Sequence, residues 1–221
     1  SEGQALGWDG TKYKGYDVGG AGGPDLLSNF FFQTFFESLD GFLPYQSGTG
    51  AYTLYNYALY LNTGATINSI SRIYKQCSVP TPRLTWDKKR TLSTRVNLVQ
   101  SAAGNLEARI WTGQPFNKKG FGFYVSDNLV IGECGNGSGP NQTLLETIPS
   151  GGYDWAKLLK AVFTPGSKVE FYLDDVKVGE LTSNLPTGLS DTYYILYINL
   201  KNLINANEQA WVSVWKLFQE A

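Results

Sequence analysis

The acidic side chains are the groups of this chain that are best suited to acid–base chemistry, because its 221 residues include 19 Asp and Glu and no histidine. Two carboxylates that cleave a glycosidic bond must lie roughly 5 to 10 Å apart. Residues i and i+2 on one face of a strand lie about 6.7 Å apart, yet the chain has no acidic pair at this spacing. Glu107 stands alone on its predicted strand, so a pair would have to form across strands, with Glu133 or Glu170. We therefore assign no catalytic residue.

The lack of histidine also excludes Ser-His-Asp and Cys-His nucleophile systems and zinc sites with histidine ligands. No glycine-rich loop followed by Lys-Ser or Lys-Thr is present to cradle a phosphate. A structural calcium ion held by loop aspartates and carbonyls stays open, but no acidic loop with the usual spacing occurs. The sequence thus predicts no cofactor and assigns no metal ligand.

Planar polar and aromatic side chains alternate with apolar residues along several predicted strands. Sugars offer C–H patches that stack on aromatic rings and hydroxyls that suit Arg, Asn and Glu. The outward-facing set is Arg95, Asn97, Glu107, Arg109, Trp111 and Tyr124, with Tyr197 and Asn199 as further members. If these strands are neighbours in one sheet, the set forms one carbohydrate-binding patch. The alternative is that Arg–Glu pairs cross between strands and Trp111 caps an edge.

The elements that must position these side chains are strands joined by tight turns. Between 161 and 188, a Pro-Gly pair at 165–166 and an Asp-Asp pair at 174–175 mark two turns, and the residues between them alternate at period two. Residues 126–128 mark another hairpin. Residues 153–163 have some helical character, but their short length and the following proline predict a turn that leads into a strand. The chain is therefore predicted to be an all-β, two-layer antiparallel sandwich.

Residues 29–221 are predicted to form this sandwich as a single domain, with Trp86, Trp211 and Trp215 in its core because they fall in dense apolar strands. Residues 1–28 contain eight glycines, and such a segment is too costly in backbone entropy to fold alone. It is expected to be either a linker or an arm that lies on this domain or on a neighbouring subunit.

The composition of the chain restricts where the protein is expected to act and which partners it is expected to bind. Charged residues make up only 17% of the chain, and 18 basic against 19 acidic residues leave a net charge of −1, so nucleic acid and anionic membranes are poor partners. No apolar run approaches the roughly 18 residues of a membrane span. Asn136-Gly-Ser and Asn141-Gln-Thr are sequons for N-glycosylation in one loop. Together these features favour an extracellular or virion-surface setting.

Cys77 and Cys134 are the two cysteines of the chain. They allow one disulfide, and they can equally be two separate buried thiols. Both alternatives stay open, and a cysteine-rich metal cluster is excluded.

Four segments resemble the concanavalin A-like lectin/glucanase superfamily in its laminin-G-like branch: LNTGAT at 61–66, TWD at 85–87, GFGFY at 120–124 and FTPGSKVEFYLD at 163–174. The similarity covers about residues 30–219 and is a match of fold more than of activity. It implies a jelly roll of two curved sheets that binds ligands on the concave face or at its rim. The chain departs from the superfamily in lacking the glucanase signature Glu-x-Asp-x-x-Glu, and in carrying Asp174-Asp175 at the turn where Asp-Gly is usual.

The function predicted from these observations is a non-catalytic recognition module that binds carbohydrate or a cell-surface glycan through the concave sheet. The alternative is a structural subunit of a virion, fibre or extracellular filament that self-associates through residues 1–28. A glycoside hydrolase or polysaccharide lyase is the third and least favoured class, because the paired carboxylates are missing.

Overall fold

A computed structural model describes residues 30–34, 42–77, 85–100, 105–116, 118–149, 153–188 and 193–220. These residues form fifteen β-strands in two antiparallel sheets and no helix, which confirms the all-β, two-layer antiparallel sandwich. The glycine-rich arm predicted at 1–28 lies outside the described residues. Within the part of the chain that is described, no helix has the length and apolar character needed to cross a membrane.

The first layer is an eight-stranded sheet. Across it, in order, lie β13 (Val176–Leu181), β12 (Lys168–Leu173), β11 (Tyr153–Thr164), β6 (Arg90–Gln100), β15 (Gln209–Gln219), β4 (Ala58–Asn62) and β3 (Ala51–Tyr55). The eighth strand, β1 (Phe30–Thr34), pairs with the C-terminal half of β15, on the edge whose N-terminal half pairs with β4.

The second layer is a seven-stranded sheet. Its strands lie in the order β10 (Pro140–Thr147), β9 (Leu129–Asn136), β8 (Lys119–Ser126), β7 (Leu106–Gln114), β14 (Tyr193–Asn202), β5 (Ile70–Cys77) and β2 (Leu43–Ser47). Strand β14 lies between β7 and β5, and β15 occupies the corresponding central place in the other sheet. The last two strands of the chain therefore complete one sheet each.

The core lies between the two sheets because the strands alternate in burial. In β6 the even-numbered residues are buried, and in β12 the odd-numbered ones are. Aromatic rings join the layers: the ring centroids of Phe121 and Phe163 lie 5.7 Å apart, and those of Phe123 and Phe171 lie 5.6 Å apart. Each sheet consequently has one face in the core and one face directed outward.

The tryptophan predictions are confirmed at two positions and wrong at one. Trp86 and Trp215 are buried in the core. Trp211 is only half-buried and stacks against Tyr60 with ring centroids 4.4 Å apart. It faces outward because its neighbours in β15, Ala210 and Val212, take the two core positions on either side.

The prediction of a turn within 153–163 is also wrong, because β11 runs unbroken through this segment and pairs with β6 and β12. Trp155, Leu159 and Phe163 are buried at a spacing of four residues, which fits a helix and a strand equally well. Ala161, also buried, shows that the true period is two. The hairpin turns predicted at 126–128, 165–166 and 174–175 all join paired strands and are confirmed.

A candidate ligand-binding face of the seven-stranded sheet

Alternation along β7 and β8 directs a row of polar and aromatic side chains to the outward face of the seven-stranded sheet. Because Ala108 and Ile110 enter the core, the odd-numbered residues Glu107, Arg109 and Trp111 lie on the opposite face. Register places Tyr124 of β8 directly beside Arg109. Four of the six residues in the predicted set therefore share one face.

Arg95 and Asn97 lie elsewhere. Both belong to β6 of the eight-stranded sheet, and they face outward from it, since Val96 and Leu98 enter the core. Strands β6 and β7 are consecutive in the chain but belong to different layers, so their outward faces are on opposite sides of the sandwich. The condition for a single six-residue patch is not met.

Arg72 of β5 lies among three aromatic rings on the outward face of the seven-stranded sheet. Its guanidinium carbon is 4.8 Å from the ring centroid of Tyr45, 5.3 Å from that of Tyr197 and 5.7 Å from that of Phe116. Its Nε donates a hydrogen bond of 2.9 Å to Oδ1 of Asn199. These five residues are called the Arg72 cluster below, and distances of this size are those of cation–π contacts.

The Arg72 cluster is open to solvent on one side. Phe116 is 64% exposed and Tyr45 is 46% exposed. Tyr197 and Asn199 are buried beneath them. The rings of Phe116 and Tyr197 pack edge to face with centroids 6.0 Å apart, so the exposed ring of Phe116 stands on a buried base.

A β-bulge in β14 builds part of that base. The pairing of β14 with its neighbours shifts register between Tyr194 and Tyr197. Without a bulge, two residues three positions apart would face opposite sides of the sheet. Here both rings pack together on the outward side, with centroids 6.0 Å apart.

Trp111 lies at the bottom of this aromatic region, and its side chain does not reach the protein surface. It is 1% exposed and packs with Tyr194, Tyr197 and the partly buried Tyr74. A Cβ added at Gly120 of β8 would lie 2.8 Å from the indole Nε1, so glycine leaves the room that the indole fills. The indole N–H has no hydrogen-bond acceptor within the described part of the chain. The expectation that Trp111 stacks directly on a sugar is therefore wrong, because neighbouring rings cover it.

Next to the aromatic region, Arg109 forms an ion pair with a buried carboxylate. Its Nε lies 3.1 Å from Oε2 of Glu133, which is 1% exposed. Gln142 donates to the other carboxylate oxygen at 2.6 Å, and the guanidinium of Arg109 lies 4.8 Å from the Tyr124 ring centroid. Burial raises the pKa of the Tyr124 phenol. The cross-strand Arg–Glu pair expected as an alternative is present, and its acid is Glu133.

Neither carboxylate pair proposed for hydrolysis has the required geometry. Glu107 and Glu133 are two strand spacings apart across the sheet and four residues apart along it, a separation of roughly 16 Å. Glu170 belongs to the eight-stranded sheet and pairs with Lys177 at 2.7 Å and with Lys168 at 2.9 Å. Hydrogen bonds from these two lysines hold the pKa of Glu170 below its usual value.

Cys134 is a free, buried thiol, so the alternative of separate thiols holds for this residue. Its strand β9 and the strand of Cys77, β5, are four spacings apart in one sheet, or roughly 19 Å. A disulfide requires Cα atoms within about 7 Å. Burial, with a smaller contribution from the charge of Glu133, raises the pKa of Cys134 to about 12. The side chain of Cys77 lies outside the described residues.

The two sequon asparagines lie at the β9–β10 hairpin in different surroundings. Asn136 is exposed, and its side-chain oxygen accepts a hydrogen bond of 3.0 Å from the backbone of Ser138. Asn141 is half-buried, and its Nδ2, the atom that would carry a glycan, donates to Oγ of Ser183 at 2.8 Å.

The sequence reasoning missed Arg72, Tyr45 and Phe116. Arg72 carries a usable signal, because it alternates with the core residue Ile73 along β5. Tyr45 lies on the edge strand β2, and Phe116 lies in the turn after β7. Neither position has a local pattern that links it to Arg72.

The comparisons with known proteins define the class of fold. No family model and no curated protein matches the chain. A protein of unknown function from Shewanella oneidensis MR-1 has a similar structure, with 9% identity, a TM-score of 0.61 and coverage of 88% of both chains. At this identity the likeness shows the shared β-sandwich fold alone.

Binding domains of botulinum neurotoxins are also similar in structure. The type C toxin, whose cell entry depends on interaction with two ganglioside molecules, matches over 81% of this chain and 44% of its own, with 8% identity and a TM-score of 0.55. The binding domain of neurotoxin DC in complex with SialylT matches at 11% identity, with a TM-score of 0.55 and coverage of 81% and 43%. This chain thus spans less than half of each toxin chain.

Proposed function

We propose that the protein is a non-catalytic recognition module that binds carbohydrate on the outward face of the seven-stranded sheet, at the Arg72 cluster. The observation that carries the proposal is the combination of two exposed rings, Phe116 and Tyr45, with the planar donor Arg72 between them. Isolated exposed rings are costly to hydrate, and a sugar C–H face covers them well. Arg72 beside them supplies hydrogen bonds to hydroxyls.

The similar structures support this proposal at a coarse level. Toxin binding domains that engage gangliosides or SialylT are built on a related fold. Their ligand binding belongs to chains more than twice as long as the matched part. The likeness therefore supports a recognition role for the fold, and the Arg72 cluster supplies the residue-level argument.

The proposal extends to the family of the protein and to its location. We place the sandwich in the concanavalin A-like superfamily, which the two-layer antiparallel architecture supports. We place the protein at an extracellular or virion surface, which the exposed sequon residue Asn136 supports.

The test of the proposal is a glycan array followed by titration calorimetry with the best glycan. Phe116→Ala should weaken binding by about tenfold or more, since a stacking ring contributes on the order of 1 kcal/mol beyond its buried area. Tyr45→Ala should weaken it in the same direction. Neither variant should shift the melting temperature by more than a few degrees, because both rings are exposed.

Tyr57→Ala is the matched control, because Tyr57 is 65% exposed, like Phe116, but lies at the tip of the β3–β4 hairpin of the other sheet. It should leave glycan affinity unchanged. Unchanged affinity in Phe116→Ala and Tyr45→Ala would disprove the site. Self-association of the parent protein in analytical ultracentrifugation that is lost when residues 1–28 are deleted, together with the absence of glycan binding, would favour the structural-subunit alternative.

A further inference from the structure

We infer that the saccharide recognised at the Arg72 cluster is acidic, and that its carboxylate pairs with Arg72. This inference rests on the proposed function and specifies its ligand class. It starts from the charge of Arg72, which no carboxylate among the described residues neutralises by an ion pair. Arg109 on the same face differs, because the carboxylate of Glu133 neutralises it at 3.1 Å.

The contacts of Arg72 leave its outer donors available. The guanidinium has five N–H donors, and Nε uses its one donor on Asn199 at 2.9 Å. The two Nη groups donate to no acceptor in the described ranges, and neither is fully buried. They are therefore accessible to solvent and to a ligand.

The surrounding rings hold the guanidinium in place for such a ligand. Tyr45, Phe116 and Tyr197 lie within 5.7 Å of its central carbon, and the bond to Asn199 fixes the Nε edge. An arginine that is already ordered loses less side-chain entropy on binding than a free one. Two parallel N–H···O bonds from the Nη side match the geometry of a carboxylate.

An acidic sugar satisfies both parts of the site at once. Its carboxylate fits the charged fork of Arg72, and the C–H face of its ring fits Phe116 or Tyr45, which are exposed beside it. The hydroxyls of a neutral sugar accept hydrogen bonds from Arg72, but they leave its charge uncompensated. The structure therefore favours a carboxylated saccharide, of the sialic acid or uronic acid kind, over its neutral counterpart.

The experiment measures dissociation constants of the full chain by titration calorimetry. The probes are sialyllactose and a galacturonate trisaccharide, each compared with its carboxyl-reduced, neutral form, together with a sulfated disaccharide. The parent protein should bind a carboxylated probe about tenfold or more tightly than its neutral form, because a charge-assisted bidentate contact is lost in the latter. The preference should fall as salt is raised.

Single substitutions test whether Arg72 causes the preference for carboxylated probes. Arg72→Gln should remove the preference while binding of the neutral form persists, and Arg72→Lys should retain only part of it, because lysine keeps the charge but lacks the fork. Arg95→Gln is the matched control, since Arg95 is exposed on the opposite face and its loss changes the net charge equally. It should leave the preference intact. If Arg72→Gln unfolds, shown by circular dichroism, Arg72→Lys carries the test.

The outcomes separate the two proposals. Equal binding of acidic and neutral probes, unchanged in Arg72→Gln, would overturn the acidic ligand and leave the carbohydrate function standing. Binding of the sulfated probe alone would overturn the carboxylate assignment. Binding of no saccharide at all would overturn both.

Discussion

At the scale of single residues, Trp111 and Phe116 are two aromatic side chains of the same face that differ in exposure to solvent. Trp111 has the chemistry of a sugar-stacking residue, yet it is buried under Tyr194 and Tyr197. Phe116 follows it by only five positions and is 64% exposed. Truncating Trp111 would therefore report on packing, since loss of a buried aromatic costs about 3–5 kcal/mol, whereas Phe116 reports on binding.

Burial of the Tyr197 phenol on this face also makes the stability of the fold depend on pH in the alkaline range. Burial raises the pKa of the Tyr197 phenol, against the smaller opposing effect of Arg72. A pKa raised in the folded state means that the stabilisation is complete below the unfolded value near 10 and is lost as pH rises through the folded value. Tyr197→Phe should make the decline of unfolding free energy above pH 10 shallower, by at most about 1.4 kcal/mol per pH unit.

Urea denaturation at a series of pH values between 8 and 11.5 measures this decline. Tyr57→Phe is the control, because Tyr57 is exposed at a hairpin tip, and it should follow the parent protein. A slope for Tyr197→Phe identical to that of the parent would show that the phenol of Tyr197 ionises equally in the folded and unfolded chain.

At the scale of elements, the backbone angles of the hairpin turns restrict which residues can occupy them. Asp174 and Asp175 have φ angles of +49° and +64°, as a two-residue turn matched to the twist of a hairpin requires. Asp127 in the turn between β8 and β9 also has a positive φ, of +56°. Aspartate tolerates this region better than most residues, so the departure from Asp-Gly noted in the sequence leaves the hairpin intact but strained.

Asp175→Gly should raise the unfolding free energy by about 0.5–1 kcal/mol, because glycine adopts positive φ without a steric cost. The lost side-chain contact with Lys160 is an exposed ion pair of 3.0 Å and contributes little. Asp174→Gly is the comparison, since Oδ1 of Asp174 accepts the backbone N–H of Leu158 at 2.9 Å. It should be destabilising despite the same relief of φ. Equal shifts of the urea midpoint in both variants would contradict this account.

At the scale of the whole molecule, the distance between the two sheets is set by a few close contacts in the core. A Cβ added at Gly132 of the seven-stranded sheet would lie 2.7 Å from the ring of Phe171 in the eight-stranded sheet. The same ring packs against Phe123 at 5.6 Å. Glycine at 132 therefore lets the layers approach closely enough to bury these rings.

Gly132→Ala should lower the unfolding free energy by about 1–3 kcal/mol, because an extra methyl in a packed core forces side chains or backbone to shift. Combining it with Phe171→Leu should cost less than the sum of the two single changes, since the smaller side chain frees the space. Urea denaturation of the four proteins in this cycle measures the coupling. Strict additivity would mean that the two residues do not set the spacing.

The sequence alone determined the class of fold and the outward faces of β6 and β7. Alternation at period two and the turn residues at 126–128, 165–166 and 174–175 predicted paired strands that the structure confirms. The segment 153–163 was missed because buried residues four apart satisfy two periodicities. Local patterns indicate whether a side chain points inward or outward. They are short-range, so they do not indicate which distant strands become neighbours.

Only the tertiary structure decided which outward-facing side chains meet. Arg95 and Arg109 lie on consecutive strands yet end on opposite faces, because the chain crosses between layers after β6. Arg72, Tyr45 and Phe116 are far apart in the chain and meet because β2, β5, β14 and β7, which leads into the turn of Phe116, lie side by side. Strand neighbours are chosen by the joint burial of two inner faces, a property of all fifteen described strands together. The binding face is therefore a product of the whole sandwich.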